Sequence, residues 1–279
     1  MPSTDGIEIA VHDLGGEGPV LLACHATGFH GHVWQPVARR LRDFHVFAPD
    51  FRGHGDSSAP HDLDYDWSGF ADDVLAVVAE LAPSGEQIVA AGHSKGGAAL
   101  LLAEQRRPGT FAAVWCYEPV VFPPLDGAHS LDNPLAEGAL RRRETFASAV
   151  AAFENFASKP PFNTLDPEAL GAYVRFGFRP EPDGTVRLKC PPVVESKVYR
   201  MGSQHGAFEH LSKVTCPVTV VSGAELPFGP SAFAARVVER LPNGRLETHP
   251  DLGHFGPLED PARIADSIRQ ALRDSALSR

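Results

Sequence analysis

The segment Gly92-His93-Ser94-Lys95-Gly96-Gly97 limits this chain more than any other. It follows the apolar run Gln87-Ile88-Val89-Ala90-Ala91 and precedes Ala98-Ala99-Leu100-Leu101-Leu102-Ala103. That order predicts a strand, a sharp turn and a buried helix, with a serine at the apex. The flanking glycines fit because side chains in so tight a turn would collide with the neighbouring strand and helix. A serine placed there has a strained backbone, a hydroxyl held above the sheet and an amide close to a helix N-terminus.

Other short apolar runs share this rhythm. Ile7-Glu8-Ile9-Ala10-Val11 alternates as a strand does, and Val20-Leu21-Leu22-Ala23-Cys24 and Val46-Phe47-Ala48 are continuous apolar runs, expected of strands covered on both faces. Trp34, Val37, Ala38 and Leu41 lie at helical spacing, as do Phe70, Val74, Val77 and Leu81. A strand follows at Ala112–Tyr117, then others at Pro217–Val221 and Gly244–Thr248, and Asp260-Pro261 opens a last helix with Ile264, Ile268 and Leu272 inward. The alternation predicts an α/β fold, a mostly parallel twisted sheet with helices on both faces. It breaks between Val121 and Lys213, where proline pairs and phenylalanines accompany helical periodicity, with Phe146, Val150, Phe153 and Ala157 on one face and Asp166-Pro167-Glu168 as a helix start. The expected organisation is a core of residues 1–120 and 214–279 with a mainly helical cap inserted at 121–213.

In 279 residues, 43% hydrophobic and 22% charged, a large core forms without disulfides or metals. A formal net charge of −10 argues against nucleic-acid or anionic-membrane partners, which need basic surface. No apolar stretch is long enough to span a bilayer, and Met1-Pro2-Ser3-Thr4-Asp5 lacks the features of a secretory leader, so the expectation is a cytoplasmic protein acting on a small molecule. The four cysteines form no C-x-x-C pair, and His25, His30 and His32 lack H-E-x-x-H spacing, so no metal site and no cofactor is expected. The run Arg141-Arg142-Arg143 reads as a solvated helix face.

A serine hydroxyl needs a base within hydrogen-bond reach, and that base needs a partner to fix its tautomer. The candidate base is His254, in Leu252-Gly253-His254-Phe255-Gly256-Pro257 between the last strand and the last helix. Loops after parallel strands gather at one sheet edge, which brings this loop beside Ser94. Two glutamates compete for the acid. Glu118 ends a buried strand, where a carboxylate is costly unless paired, and Glu225 lies in the loop after Val218–Val221. The desolvation argument favours Glu118.

The Ser94 turn, His25-Ala26-Thr27-Gly28-Phe29, Asp50-Phe51-Arg52-Gly53-His54-Gly55-Asp56-Ser57 and Gly253-His254-Phe255 together resemble the α/β-hydrolase fold superfamily over nearly the whole chain. The resemblance implies that the Asp50–Ser57 loop is structural, with Asp50 a turn anchor. It implies an oxyanion hole built from the backbone amides of Thr27 and Lys95, and a bracing role for His25. Family members most often carry the acid in a G-x-x-D pattern, where this chain has Gly223-Ala224-Glu225-Leu226; some carry a glutamate at the position of Glu118. The Lys95 side chain is expected near the pocket mouth, there to attract an anionic substrate or else to reach solvent along apolar surface.

The leading expectation is a serine hydrolase of carboxylic esters, lactones or thioesters, acting through an acyl-enzyme on Ser94. Carbon–carbon bond hydrolysis, acyl transfer, perhydrolysis and a non-catalytic small-molecule receptor are the alternatives on the same constellation.

Overall fold

The computed structural model describes residues 1–124, 133–227 and 229–277. The first half of the chain runs through β1 (Val11–Asp13), β2 (Val20–Cys24), α1 (Gln35–Ala38), β3 (His45–Pro49), α2 (Trp67–Leu81), β4 (Ile88–His93), α3 (Lys95–Arg106) and β5 (Phe111–Tyr117). Next come α4 (Pro134–Leu140), β6 (Thr145–Phe146), α5 (Ala149–Ala157), α6 (Pro167–Gly177), β7 (Phe178–Pro180), β8 (Val186–Leu188) and α7 (Pro192–Met201). The chain then returns to the sheet with β9 (Val218–Ser222), α8 (Ala234–Arg240), β10 (Gly244–Thr248), α9 (Gly256–Glu259) and α10 (Pro261–Leu277).

Among the described residues, seven strands form one sheet in the order β1-β3-β2-β4-β5-β9-β10. β1 is antiparallel to β3, and every other neighbour pair is parallel. Side chains alternate between two apolar layers, as the two-residue period of a strand requires. Leu22 and Cys24 of β2 face the layer of Phe70, Val74 and Leu100, while Leu21 and Ala23 face that of Val37, Ile264 and Ile268. Both faces of the central strands are therefore buried, which is why their sequences are continuous apolar runs.

Three local expectations are revised. Ile7 and Ile9 are buried, but the strand pairing with β3 begins only at Val11, and Pro2 and Glu8 form an isolated bridge. The span 121–213 carries α4–α7 but also a three-stranded antiparallel sheet, β6-β8-β7; residues 125–132 of that span lie outside the described residues. Phe146 belongs to β6 rather than to a helix, because Ser148 caps α5 by accepting the Ala151 amide. The start at Ala149 turns Ala152 and Phe156 inward and leaves Val150 67% exposed.

β4 and β5 occupy the middle of the sheet, so Ser94 and Glu118, each just beyond its strand, emerge side by side at the edge where the parallel strands end. The loop after β10 that carries His254 reaches the same edge.

Candidate active site

Ser94 follows β4 at φ 55° and ψ −116°, a left-handed conformation that costs a residue with a side chain about 1–3 kcal/mol. The surrounding backbone holds it there. Its amide donates to the Tyr117 carbonyl at 2.9 Å, and its own carbonyl accepts from Ala98 and Val120. A Cβ at Gly92 would stand 2.6 Å from the Gly97 nitrogen, and one at Gly96 would overlap the Cys24 carbonyl. The glycines around the serine are thus a requirement of close backbone approach.

His254 Nε2 lies 3.1 Å from Ser94 Oγ, and His254 Nδ1 lies 2.6 Å from Glu118 Oε2. A carboxylate only accepts, so Nδ1 carries the proton and Nε2 presents its lone pair to the serine hydroxyl. Glu118 is 1% exposed and sits at φ 42°, a second strained residue with a side chain. Its other carboxylate oxygen accepts the Gly223 amide at 2.8 Å. Both oxygens are therefore satisfied, the condition under which a buried carboxylate is tolerated. Glu225, the other candidate, is exposed after β9 and hydrogen-bonds to neither His254 nor Ser94. The structure brings Ser94, His254 and Glu118 together and leaves Glu225 outside.

The amides of Thr27 and Lys95 have no protein acceptor among the described residues, which leaves both free to bind an anionic oxygen. His25 is fully buried and braces the Thr27 loop. Its Nδ1 donates to the Ala26 carbonyl at 2.7 Å, and its Nε2 accepts the Phe51 amide at 3.0 Å. Burial pushes its pKa well below the usual range, so the ring stays neutral. Asp50 accepts the Gly31 and Asp56 amides and lies 2.9 Å from His12 Nε2. Burial alone would raise its pKa, but the hydrogen bond and charge of His12 outweigh burial and hold it at about 2. Among the described residues, His12, Asp50 and Asp56 form the one group spaced for a metal, and Asp50 is already committed to these turn contacts.

The expectation for the Lys95 side chain is corrected. It neither faces the pocket mouth nor reaches solvent: it is 0% exposed, with Nζ 4.5 Å from the Phe51 ring centre, 4.4 Å from that of Phe70 and 3.4 Å from His54 Nε2. As the first residue of α3 it projects beneath the elbow, into the space between α2 and the loop after β3. Burial lowers its pKa to about 7, against 10.5 for a free lysine. The reading of Arg141-Arg142-Arg143 changes for its middle member. Arg142 binds the buried Glu195 of α7 and the hydroxyl of Tyr173 in α6. Glu195 in turn lies so close to Gly28 that a Cβ there would strike its carboxylate. The sequence carries no local sign of this cluster, because its members come from three separate elements.

Aromatic rings cluster beside His254. Phe29 beyond Thr27, Phe255 beyond His254 and Phe162 lie 5.5–6.2 Å apart, centre to centre. Among the described residues no helix is long and apolar enough to cross a membrane.

Both the sequence and the fold have counterparts among known proteins. Lipase LipV of Mycobacterium tuberculosis is 34% identical over 126 residues, 44% of this chain and 45% of that protein. Human monoglyceride lipase is 34% identical over 106 residues, 37% of this chain and 35% of the lipase. The chain thus aligns with less than half the length of these curated relatives. Among solved structures, the peroxisomal alpha-beta-hydrolase Lpx1 of Saccharomyces cerevisiae superposes with a TM-score of 0.81 at 20% identity, covering 98% of this chain and 83% of that one. The model of the alpha/beta hydrolase family matches residues 20–267, and the chain belongs to that family.

Proposed function

We propose that this protein is a serine hydrolase that cleaves an ester, lactone or thioester through an acyl-enzyme on Ser94. One observation carries the reading, the unbroken chain from Ser94 Oγ to His254 at 3.1 Å and from His254 to Glu118 at 2.6 Å. In the first half-reaction Ser94 Oγ attacks the substrate carbonyl while His254 Nε2 takes its proton. The resulting oxyanion accepts from the Thr27 and Lys95 amides, each worth about 3–4 kcal/mol in comparable sites. The tetrahedral intermediate expels the alcohol or thiol, which takes the proton from His254, and leaves an ester on Ser94. Water then attacks that ester with His254 again as base, releasing the acid and restoring the hydroxyl. Glu118 stays ionised throughout and stabilises the imidazolium that forms twice per turnover.

The relatives named lipases agree with an acyl substrate. The rings of Phe29, Phe162 and Phe255 suit an apolar acyl or leaving group, and the segment 121–213 serves as the cap over it. The substrate is a small molecule, and the chemistry calls for no cofactor. A fluorophosphonate probe, which phosphonylates an activated serine, is expected to label the wild-type protein and not Ser94→Ala. A panel of p-nitrophenyl esters, lactones and thioesters of graded chain length is expected to give turnover that disappears in the same variant. A wild-type protein that takes no label and turns over no member of the panel would sink the proposal in favour of the receptor reading.

A further inference from the structure

The residues immediately before two members of the triad perform a task of their own. His93, the last residue of β4, precedes Ser94, and Tyr117, the last residue of β5, precedes Glu118. The two are direct partners across the β4–β5 ladder. Each aims a ring donor at the loop that carries the base: His93 Nε2 donates to the His254 carbonyl at 2.7 Å, and the Tyr117 hydroxyl donates to the Gly253 carbonyl at 2.8 Å. Both residues are buried, and the His93 ring lies 5.1 Å from the His254 ring and 6.1 Å from that of Phe255.

Two glycines make room for this arrangement. A Cβ at Gly223 would lie 2.7 Å from the Tyr117 oxygen, and one at Gly256 would overlap it. The space around the hydroxyl is thus bounded by a glycine from the loop after β9 and another from the His254 loop. Gly223 also supplies the amide that binds Glu118. A side chain at either position would displace the tyrosine or the loop it holds.

We propose that His93 and Tyr117 are positioning residues, a two-pronged clamp that fixes consecutive carbonyls of the Gly253–His254 backbone to the strand ends bearing the nucleophile and the acid. The inference rests on the proposed function for its kinetic consequences but not for its structural ones. An imidazole fixed only by its two side-chain hydrogen bonds would swing with its loop. Pinning the backbone on either side of the His254 Cα keeps Nε2 facing Ser94 through both half-reactions, at no cost of reordering the loop at each. The contacts go to backbone oxygens of the His254 loop and orient the base, so their loss is expected in the chemical step rather than in ground-state binding. A neutral His93 suits the task, since a charged ring would oppose the imidazolium formed on His254. Burial and the neighbouring charge of His254 both push its pKa well below the usual range. The Tyr117 hydroxyl is likewise kept protonated by burial and by the charge of Glu118.

The test compares His93→Phe, His93→Gln, Tyr117→Phe and His93→Phe/Tyr117→Phe with the wild type in two measurements. The first is hydrogen exchange by mass spectrometry over peptides spanning 249–259, with the remaining peptides as the control for folding. The expected result is exchange at least about ten-fold faster in that span for His93→Phe and Tyr117→Phe, additive in the double variant, with other peptides unchanged. His93→Gln, which retains an N–H donor, is expected to return most of the protection. The second is steady-state hydrolysis of a p-nitrophenyl ester, in which kcat is expected to fall about 10- to 100-fold in each single Phe variant while KM stays within two-fold. His93→Gln is expected to recover most of kcat. Unchanged exchange over 249–259 in both Phe variants would overturn the clamp, as would a kcat within two-fold of wild type despite loosened exchange. If the wild type hydrolyses nothing, the proposed function fails while the exchange data still decide whether the clamp exists.

Discussion

Two buried carboxylates, one in the sheet and one in the inserted segment, meet the same physical demand in different ways. Glu118 is 1% exposed at the end of β5 and Glu195 is 3% exposed on α7, so each must be paired to be tolerated. Glu118 pairs with an imidazole whose other nitrogen points at a hydroxyl, and its second oxygen is tied to a backbone amide of the sheet edge. Glu195 pairs with the guanidinium of Arg142, which also holds the Tyr173 hydroxyl. The first assembly can take a proton from a hydroxyl and stabilise the imidazolium that results. The second ends on groups that do not titrate near neutral pH and serves to join α6, α7 and the segment after α4. Burial and pairing alone therefore do not single out Glu118 for its proposed role; the hydroxyl on the far side of its imidazole does.

The largest expected effect breaks the first pair. Glu118→Gln keeps the shape but cannot stabilise the imidazolium or enforce the Nδ1 proton, and kcat is expected to fall about 10³- to 10⁴-fold. Glu225→Gln, made as its counterpart, is expected to stay within about two-fold, since its side chain is exposed and off the triad. Ester hydrolysis by the two variants checks this. A large loss in Glu225→Gln alone would transfer the acid to the other loop.

The converse experiment belongs to the second pair. Arg142→Met strands the buried Glu195, and stability is expected to drop by about 3 kcal/mol, with kcat of the folded enzyme changing far less than in Glu118→Gln. Arg142→Met/Glu195→Leu removes both charges and is expected to regain most of that loss. Urea unfolding of the two singles and the double forms a cycle. A double variant as unstable as the sum of the singles would show that the pair is not coupled.

The buried Lys95 has no carboxylate partner among the described residues, and it explains part of what the sequence conceals. The turn that sets Ser94 could be read because its glycines are contiguous and their steric purpose is local, and the approach of His254 followed from the order of elements in a parallel sheet. Glu118 could be preferred because a carboxylate ending an apolar strand demands a partner. Lys95 could not be placed, since its position says nothing of the side chain's direction and the rings beneath it, Phe51 and Phe70, are remote in sequence. Arg142 was hidden in the same way. It is one of three consecutive arginines, and its inward turn depends on Glu195, more than fifty residues on. The strands β6–β8 are two or three residues long, too short for an alternating pattern to register.

For Lys95 the sign of the pH dependence follows from its depressed pKa. Between about 7, its value in the folded protein, and 10.5, its value in the free side chain, the unfolded chain holds more protons than the folded one. Stability therefore rises with pH across that window by up to about 1.4 kcal/mol per pH unit from this group, and below it the full cost of burying an ammonium is present. Lys95→Met should remove that slope, so the stability difference between wild type and variant moves in the wild type's favour as pH rises from 7 to 10. Selectivity between neutral and anionic esters should not change, because the ammonium is sealed beneath the elbow. Urea midpoints at several pH values check the first statement and a charged ester series the second. Parallel pH curves for the two proteins would show that the lysine is not held at a lowered pKa.

The smallest effect concerns how the inserted segment is tied to the sheet edge. The Asp166 carboxylate accepts the Glu168 and Ala169 amides at the start of α6, while its own backbone amide donates to the Leu258 carbonyl of α9, a few residues beyond His254. Asp166→Ala removes the cap but leaves the backbone bond, and is expected to cost about 1 kcal/mol. In a chain of this size that corresponds to a fall in Tm of about 2–4 °C. Asp166→Asn, still able to accept, should lose a fraction of that. Because α6 presents Leu170, Tyr173 and Val174 to the interior, fraying of its first turn should loosen the partners of Arg142 before it reaches the triad. Calorimetry is therefore expected to register the change while kcat stays within about two-fold. A kcat loss larger than the stability loss would mean that the inserted segment, and not the sheet alone, positions His254.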